Sequence, residues 1–314
     1  MTQHASAVQA VHDAVRHVTF GPIARFENLA LVPLLSDQER EVDYLTLDEA
    51  LAGAWAQITE VSDAGQVSEL KVVVTGDTPV LLVDGEELVG AKQNRVLNLT
   101  ILVPAKSTTV IPVSCVESGR WQHQSPRFAS APRAQFAEGR AARMRQVSDS
   151  LMSAGDRQSD QGDVWRLIAA KASRLDVPSE TSAMSAVFDK VGGSLDDFVA
   201  AFPPLAHQVG AVFFVNGQPA GLELFDAAST WRRLSPKLVR SYGMDALDGP
   251  RLPSRDTEAT GPRAFAMAVE SSPSSVFPAI GEGEDVRLTA ADISGAALVA
   301  RGRVIHVSAF PHHA

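Results

Sequence analysis

Apolar and polar residues alternate with a period of two through residues 56 to 115. This alternation is typical of β-strands that bury one face, and short turn sequences separate the alternating segments. Asp84-Gly85 and Pro104-Ala-Lys-Ser107 therefore predict two antiparallel hairpins within this stretch. The predicted strands are Leu70–Val74, Val80–Val83, Glu86–Val89, Arg95–Val103 and Thr108–Cys115.

A second β-rich region lies in the last third of the chain. Asn216-Gly217 separates the apolar run Val212–Val215 from Gln218–Phe225, and this dipeptide favours a two-residue turn because both turn positions require positive φ. The string Val80-Leu-Leu-Val-Asp-Gly-Glu86 echoes Val212-Phe-Phe-Val-Asn-Gly-Gln218. The echo leaves two interpretations open: two related β halves, or two unrelated hairpins with the same turn chemistry.

Helical signals lie between and around these strands. Thr46-Leu-Asp-Glu49 has the spacing of a capping box, in which two side chains satisfy amides at the start of a helix. Residues 164–175, 184–190 and 230–242 also have helical patterns. We therefore expect an α+β fold of predominantly antiparallel β-sheets with helices packed around them, as a single large domain or as two tightly packed subdomains. The expected divisions are a tail or short helix (1–18), an N-terminal β-rich half (19–125), a helical connection (126–207) and a C-terminal α/β half that closes the same fold (208–314).

Composition and charge restrict the functional classes. The formal net charge of −9 argues against bulk electrostatic binding to nucleic acid or to anionic membranes, and no run of 18 apolar residues predicts a membrane span. Cys115 is the only cysteine in 314 residues, so neither an internal disulfide nor a cysteine-based zinc cage is expected. We expect a cytosolic protein and assign no metal site. Nothing in the sequence identifies a cofactor or an oligomeric state.

A cluster of polar and charged residues interrupts the predicted strands between Glu86 and Trp121, and we call this stretch the polar belt. If the segment that ends at Cys115 pairs with the segment that begins at Arg95, residues 92–95 and 115–121 meet at the same end of a hairpin. A shift of one residue in this register would separate them. The belt contains acids, bases, carboxamides, a thiol and an indole: Glu86, Glu87, Lys92, Gln93, Asn94, Arg95, Asn98, Cys115, Glu117, Arg120 and Trp121.

These residue types suit the capture of a small anion. Guanidinium groups bind carboxylate or phosphate through two parallel hydrogen bonds, and an indole offers a stacking face for a base or a sugar. A glutamate acts as a general base when burial raises its pKa, and a cysteine acts as a nucleophile when its thiolate is stabilised. We therefore predict catalytic roles for Glu86, Cys115 and Glu117. The predicted ligand-binding residues are Lys92, Gln93, Arg95, Arg120 and Trp121.

Structural explanations for the same residues stay open. Cys115 lies on an apolar strand face, which favours a buried role. An arginine of the belt that pairs with Glu117 would only stabilise the end of a strand. Trp121 would be a core residue and not a stacking surface. The arginine-rich segment 127–145 suits either a phosphate-facing lid or a solvated helix face, and the solvated face is the better supported of the two.

Two strings within the belt resemble a known family. Gly85-Glu-Glu-Leu-Val-Gly-Ala-Lys-Gln-Asn-Arg95 and Ile111-Pro-Val-Ser-Cys-Val-Glu-Ser-Gly-Arg-Trp121 are similar to segments of the ARG and rhodanese-phosphatase-superfamily-associated protein domain, a family of uncharacterised prokaryotic proteins. Tyr44-Leu-Thr-Leu-Asp-Glu-Ala50 and Ile58-Thr-Glu60 also match, and the resemblance spans residues 19 to 310. The family name implies an association with ADP-ribosylglycohydrolases and phosphatase-like proteins, and hence nucleotide or ADP-ribose chemistry, but it supplies no catalytic residues.

The leading hypothesis is that the polar belt binds a small anionic ligand of the nucleotide or ADP-ribose type, with hydrolytic chemistry as an extension. The competing hypothesis is a non-enzymatic protein-interaction or scaffold module, in which the belt is an internal network. The two differ in whether the polar side chains converge on an open concavity or on one another.

Overall fold

The computed structural model describes residues 2–62, 64–122, 124–249 and 261–312. No helix within these ranges is both long and apolar enough to cross a membrane. The helices are α1 (Thr2–Arg16), α2 (Leu47–Ala52), α3 (Ala137–Ala154), α4 (Gln161–Arg174), α5 (Met184–Lys190), α6 (Gly192–Ala201), α7 (Ala228–Asp248) and α8 (Gly261–Glu270). The strands are β1 (Thr19–Phe20), β2 (Ala24–Phe26), β3 (Leu29–Leu35), β4 (Leu45–Thr46), β5 (Ala56–Glu60), β6 (Glu69–Val74), β7 (Val80–Leu82), β8 (Glu86–Gly90), β9 (Arg95–Leu97), β10 (Ile101–Val103), β11 (Ser107–Cys115), β12 (Phe128–Ala134), β13 (Gln208–Val215), β14 (Gln218–Phe225), β15 (Ser274–Pro278), β16 (Glu284–Thr289), β17 (Ile293–Ala300) and β18 (Arg303–Pro311).

The chain divides into two compact units. Unit 1 consists of Met1–Val42 and Asp196–Ala314, and unit 2 consists of Asp43–Leu195. The first unit thus combines two separate stretches of sequence, and the second is continuous. The divisions expected from the sequence after residues 18, 125 and 207 stay a prediction.

Unit 1 is built on a nine-stranded antiparallel sheet in the order β1-β3-β13-β14-β18-β17-β16-β15, with β2 also paired to β3. Its main apolar core joins α1 and α8 to sheet residues such as Val212, Leu222 and Val307, while α7 packs on β13 and β14. Asn216 and Gly217 both have positive φ and join β13 to β14. The hairpin predicted at this dipeptide is therefore confirmed.

Unit 2 is built on a closed six-stranded barrel, in the order β11-β6-β5-β12-β8-β9, and on a three-stranded sheet, β10-β7-β4. Every second residue of β5 and β6 is buried, so one face of each strand lines the barrel interior. The predicted capping box opens α2: Glu49 Oε2 accepts from the Thr46 amide, and Thr46 Oγ1 accepts from the Glu49 amide. The mostly antiparallel sheets with surrounding helices confirm the α+β class.

The hairpin predicted at Asp84-Gly85 is wrong. β7 pairs with β4 and β10, whereas β8 pairs with β9 and β12, so the chain passes from one sheet to the other at this turn. Of the two turn residues only Gly85 has positive φ, and the Glu86 amide donates to the Val83 carbonyl, as in a type II turn. The echo between the two glycine-containing strings therefore does not mark two equivalent hairpins.

The predicted strand 95–103 is also divided. β9 stays in the barrel beside β11, whereas β10 joins β7 in the other sheet, so residues 104–107 do not close a hairpin. Residues 128–134, assigned from the sequence to a helical connection, form β12, which closes the barrel between β5 and β8. Local alternation predicts a strand but does not specify its partner, which is why both assignments failed.

Candidate functional site

Strand pairing places part of the polar belt inside the barrel. Residues that pair directly across two strands project to the same face of a sheet. Arg95 pairs with Cys115. Ile111 lies four residues before Cys115 on β11 and therefore on the same face. Ile111 pairs with Leu70, and Leu70 pairs with Glu60 on β5. Arg95, Cys115 and Glu60 therefore project into the barrel interior. The same face carries the buried apolar residues Ile58, Val72, Leu97 and Val113.

One end of the barrel gathers the two segments of the belt, and we call this end the barrel mouth. There β5, β8 and β11 end, and β6, β9 and β12 begin. Lys92 Nζ lies 5.3 Å from the centre of the Trp121 indole, and Arg95 Cζ lies 5.8 Å from it. The prediction that these two segments meet at one strand end is confirmed. The described loop residues at this end are 61–62, 64–68, 91–94, 116–122 and 124–127.

Arg95 is fully buried, and hydrogen bonds to the described residues involve only one side of its guanidinium. Its Nη1 donates to Gln93 Oε1 at 3.2 Å and to the Asn94 carbonyl at 3.3 Å. Its Nε and Nη2 have no hydrogen-bond partner among the residues that the structure describes. These two nitrogens form the edge that binds two oxygens of an anion side by side. Burial lowers the pKa of the Arg95 guanidinium, and the nearby Cys115 and Glu60 oppose this effect.

Glu60, which the sequence reasoning did not select, supplies an acceptor in the same interior. Its Oε1 accepts from the Lys92 amide at 3.3 Å, whereas its Oε2 is buried and has no donor within the described part of the chain. Gly65, at φ 73°, lets the loop pass close to this carboxylate, because a Cβ there would lie 3.2 Å from Glu60 Oε2. The alternating pattern of β5 indicates from the sequence that Glu60 faces inward. Only the closure of the barrel shows that Glu60 and Arg95 face the same interior.

Glu117 and Arg120 form a buried ion pair. Arg120 Nη2 donates to Glu117 Oε2 at 2.6 Å and to Asn94 Oδ1 at 3.0 Å, and Thr181 Oγ1 donates to Glu117 Oε1 at 3.0 Å. Burial raises the pKa of Glu117, but hydrogen bonds from Arg120, the Asn94 amide and Thr181 outweigh it and hold the pKa below its ordinary value. One arginine of the polar belt pairs with Glu117, as one of the structural explanations expected. That arginine is Arg120.

Acidification is expected to weaken this ion pair. Because the pKa of Glu117 is lower in the folded than in the unfolded chain, its ionised form contributes stability above the unfolded value, and this contribution is lost as pH falls through the folded value. Glu117→Gln should reduce the free energy of unfolding by roughly 1–3 kcal/mol at pH 7. The variant should also lose less stability than the wild type between pH 7 and about pH 3 in urea titrations. Glu180→Gln, an exposed neighbour of Thr181, serves as the control, and equal acid sensitivity in Glu117→Gln and wild type would contradict the expectation.

The three catalytic candidates are not gathered around one point. Cys115 is buried, its Sγ donates to Gln93 Oε1 at 3.2 Å, and burial raises the pKa of its thiol, so the nucleophilic thiolate is disfavoured at neutral pH. Glu86 lies at the start of β8, away from the mouth, and its Oε2 accepts from the Val83 amide at 2.8 Å. Glu117 is committed to its ion pair.

The arginine-rich segment 127–145 is not a solvated face throughout. Arg140 and Arg143 are fully buried and donate to the two oxygens of Asp84, with Arg140 Nε 3.1 Å from Oδ2 and Arg143 Nη2 2.7 Å from Oδ1. Arg143 Nη1 also donates to Gln135 Oε1. The solvated interpretation is wrong for these two residues because their carboxylate partner follows a strand far away in the sequence.

An open cleft adjoins the barrel mouth. It has a volume of about 610 Å³ and includes Glu60, Ser62, Gln124 and Ser125 in its lining. Trp121 keeps 46% of its surface exposed, so it does not fill a core. The barrel mouth therefore combines a satisfied network around Glu117 with groups on Arg95 and Glu60 that have no partner among the described residues, and Glu60 also lines the cleft.

The sequence model of one protein family matches residues 17–310, which is nearly the whole chain. Its description is ARPP-1, the ARG and Rhodanese-Phosphatase-superfamily-associated Protein domain. No curated protein and no solved structure matches the chain.

Proposed function

Since the chain belongs to the family of the ARG and Rhodanese-Phosphatase-superfamily-associated Protein domain, we propose that it binds a small anionic ligand at the barrel mouth. The observation that supports this most directly is the free Nε and Nη2 edge of the buried Arg95. Trp121 lies beside the Arg95 guanidinium, and Lys92 lies beside the same indole, so we include both in the candidate site.

Energetics explain why a free guanidinium edge is informative. Burial of a charged group costs several kcal/mol unless a counter-charge or hydrogen bonds offset it. Gln93 and Asn94 hold the Nη1 side of Arg95 in place but supply no charge. An oxyanion that accepted from Nε and Nη2 would satisfy both donors and neutralise the charge in one step. A site of this kind is preorganised because the arginine is already positioned.

The individual roles follow from the contacts. Arg95 holds the anion, and Lys92 adds a second positive charge beside the indole. Trp121 offers its exposed surface for stacking, which suits a base or sugar, and we extend the proposal to nucleotide or ADP-ribose-like ligands on this ground. Arg120 positions the loops through Glu117, and Gln93 orients Arg95. We propose binding without hydrolysis, in a cytosolic setting and with no nucleic-acid partner.

Arg95→Lys is expected to weaken ligand binding by roughly 10- to 100-fold, because lysine keeps the charge but lacks two parallel donors. Isothermal titration of the full chain with adenosine monophosphate and with ADP-ribose measures the change. Arg127→Lys is the matched control, since Arg127 is an exposed arginine on the loop before β12. Binding that is equally strong in Arg95→Lys and wild type would rule out this site, as would the absence of binding by both ligands and by inorganic phosphate.

A further inference from the structure

Two buried groups of opposite character face the interior at the barrel mouth. The free edge of Arg95 offers two hydrogen-bond donors, and Glu60 Oε2 offers an acceptor. Arg95 Nε and Nη2 do not hydrogen-bond to Glu60 Oε2, and none of these three atoms has another partner in the described ranges. Both project to the same face of the barrel wall, at the same end of their strands. The electrostatic influence of Glu60 on Arg95 is consistent with this proximity.

A single ligand group that satisfies both residues must accept two hydrogen bonds from Arg95 and donate one to Glu60. A carboxylate or a sulfate has oxygens for Arg95 but no hydrogen for Glu60. A phosphate group that keeps one proton has both, because two of its oxygens accept from Nε and Nη2 while its P–OH donates to Glu60 Oε2. The tetrahedral arrangement of the oxygens directs the hydroxyl away from the arginine edge.

We infer that the barrel mouth selects an oxyanion that carries its own proton, and therefore binds a phosphate or terminal phosphomonoester group in preference to sulfate. This inference rests on the ligand site proposed above. Phosphate and sulfate have nearly the same size and shape, so the donated hydrogen is the difference that Glu60 detects. The inference narrows the proposed ligands to those that end in a phosphomonoester, such as adenosine monophosphate, and excludes ADP-ribose, both of whose phosphates are diesters.

The charge balance points the same way. Glu117 and Arg120 neutralise one another, so the charged groups that face an interior ligand include the positive Arg95 and the negative Glu60. A phosphomonoester that keeps one proton places its negative oxygens at Arg95 and its hydrogen at Glu60. Sulfate would place a doubly charged ion against a carboxylate oxygen with no hydrogen between them, which leaves a buried acceptor unpaired and repelled.

The test compares inorganic phosphate with sulfate as probes of the full-length protein. In isothermal titration at pH 7, phosphate should bind the wild type on the order of 100-fold or more tightly than sulfate, because a site built around a donated hydrogen rejects an analogue that lacks it. In Glu60→Gln the carboxamide can donate to either anion, so the ratio should fall below roughly 10-fold, mainly through tighter sulfate binding. Glu69→Gln is the control, since Glu69 neighbours the inward Leu70 on β6 and so faces outward.

The outcomes separate this inference from the proposed function. Equal binding of phosphate and sulfate by the wild type, weakened in Arg95→Lys, would overturn the selection but keep the anion site. Binding of neither anion by the wild type would overturn both. A preference for phosphate that Glu60→Gln leaves unchanged would also overturn the role of Glu60. The wild-type ratio needs no variant, so the inference stays falsifiable even where Glu60→Gln fails to fold.

Discussion

Asp84→Asn is expected to lower the free energy of unfolding by about 3–5 kcal/mol, the range for removing one partner from a buried ion pair. Asp84 is 1% exposed, and its two oxygens accept from Arg140 and Arg143, which are inaccessible to solvent. Asparagine preserves the size of the side chain but removes its charge. Two guanidinium groups then remain buried against a neutral amide. Burial lowers the pKa of Arg143, and the charge of Asp84 raises it. The variant therefore loses the group that stabilises the charged form of the buried Arg143.

Urea denaturation at pH 7, followed by circular dichroism, measures the change. The control is Asp77→Asn, which removes a carboxylate paired with Lys106 where both side chains are largely exposed. Solvent screens such a pair, so the control is expected to denature at the same urea concentration as the wild type. A denaturation midpoint of Asp84→Asn that equals that of the control would show that the two arginines find other compensation.

Arg95→Met is expected to raise the free energy of unfolding by about 1–4 kcal/mol and to abolish anion binding in the same protein. Arg95 projects into the barrel interior, where Leu97 and Val113 share its face, and two of its nitrogens lack partners among the described residues. Methionine has a similar length and no polar head, so it removes the cost of desolvation and fills the space. A change that stabilises the fold and removes a function is typical of a residue kept for its function.

The same measurements distinguish a ligand site from an internal network. Arg143→Met is the matched control, because Arg143 is equally buried but donates to Asp84 and Gln135. That control should destabilise the protein. If Arg95→Met destabilises the protein to the same extent as Arg143→Met, Arg95 is a structural residue and the barrel mouth is not a binding site.

The features predicted correctly are those set by neighbouring residues. The capping box of α2 and the turn at Asn216-Gly217 depend on interactions within four residues, so the sequence specifies them directly. The meeting of residues 92–95 with residues 115–121 at one strand end was also predicted, although the hairpin turn at residues 104–107 from which it was inferred does not form.

The errors share a different cause. Asp84-Gly85 has the composition of a hairpin turn, yet the strands on either side pair in different sheets. Residues 128–134 carry little of the apolar alternation expected of a strand, yet they close the barrel. In both places the outcome depends on partners far away in the sequence, and the free energy of those contacts outweighs the local preference.

The sequence by itself determined the fold class, the capping box of α2 and the turn at Asn216-Gly217, because each of these follows from side-chain periodicity and near-neighbour hydrogen bonding. Only the tertiary structure decided which polar groups are satisfied. Closure of the barrel brought Glu60 to the end where Arg95 lies, and the tertiary packing of α3 buried Arg140 and Arg143 against the remote Asp84. Hydrogen-bond satisfaction is a property of distances between remote residues, and no local pattern encodes it.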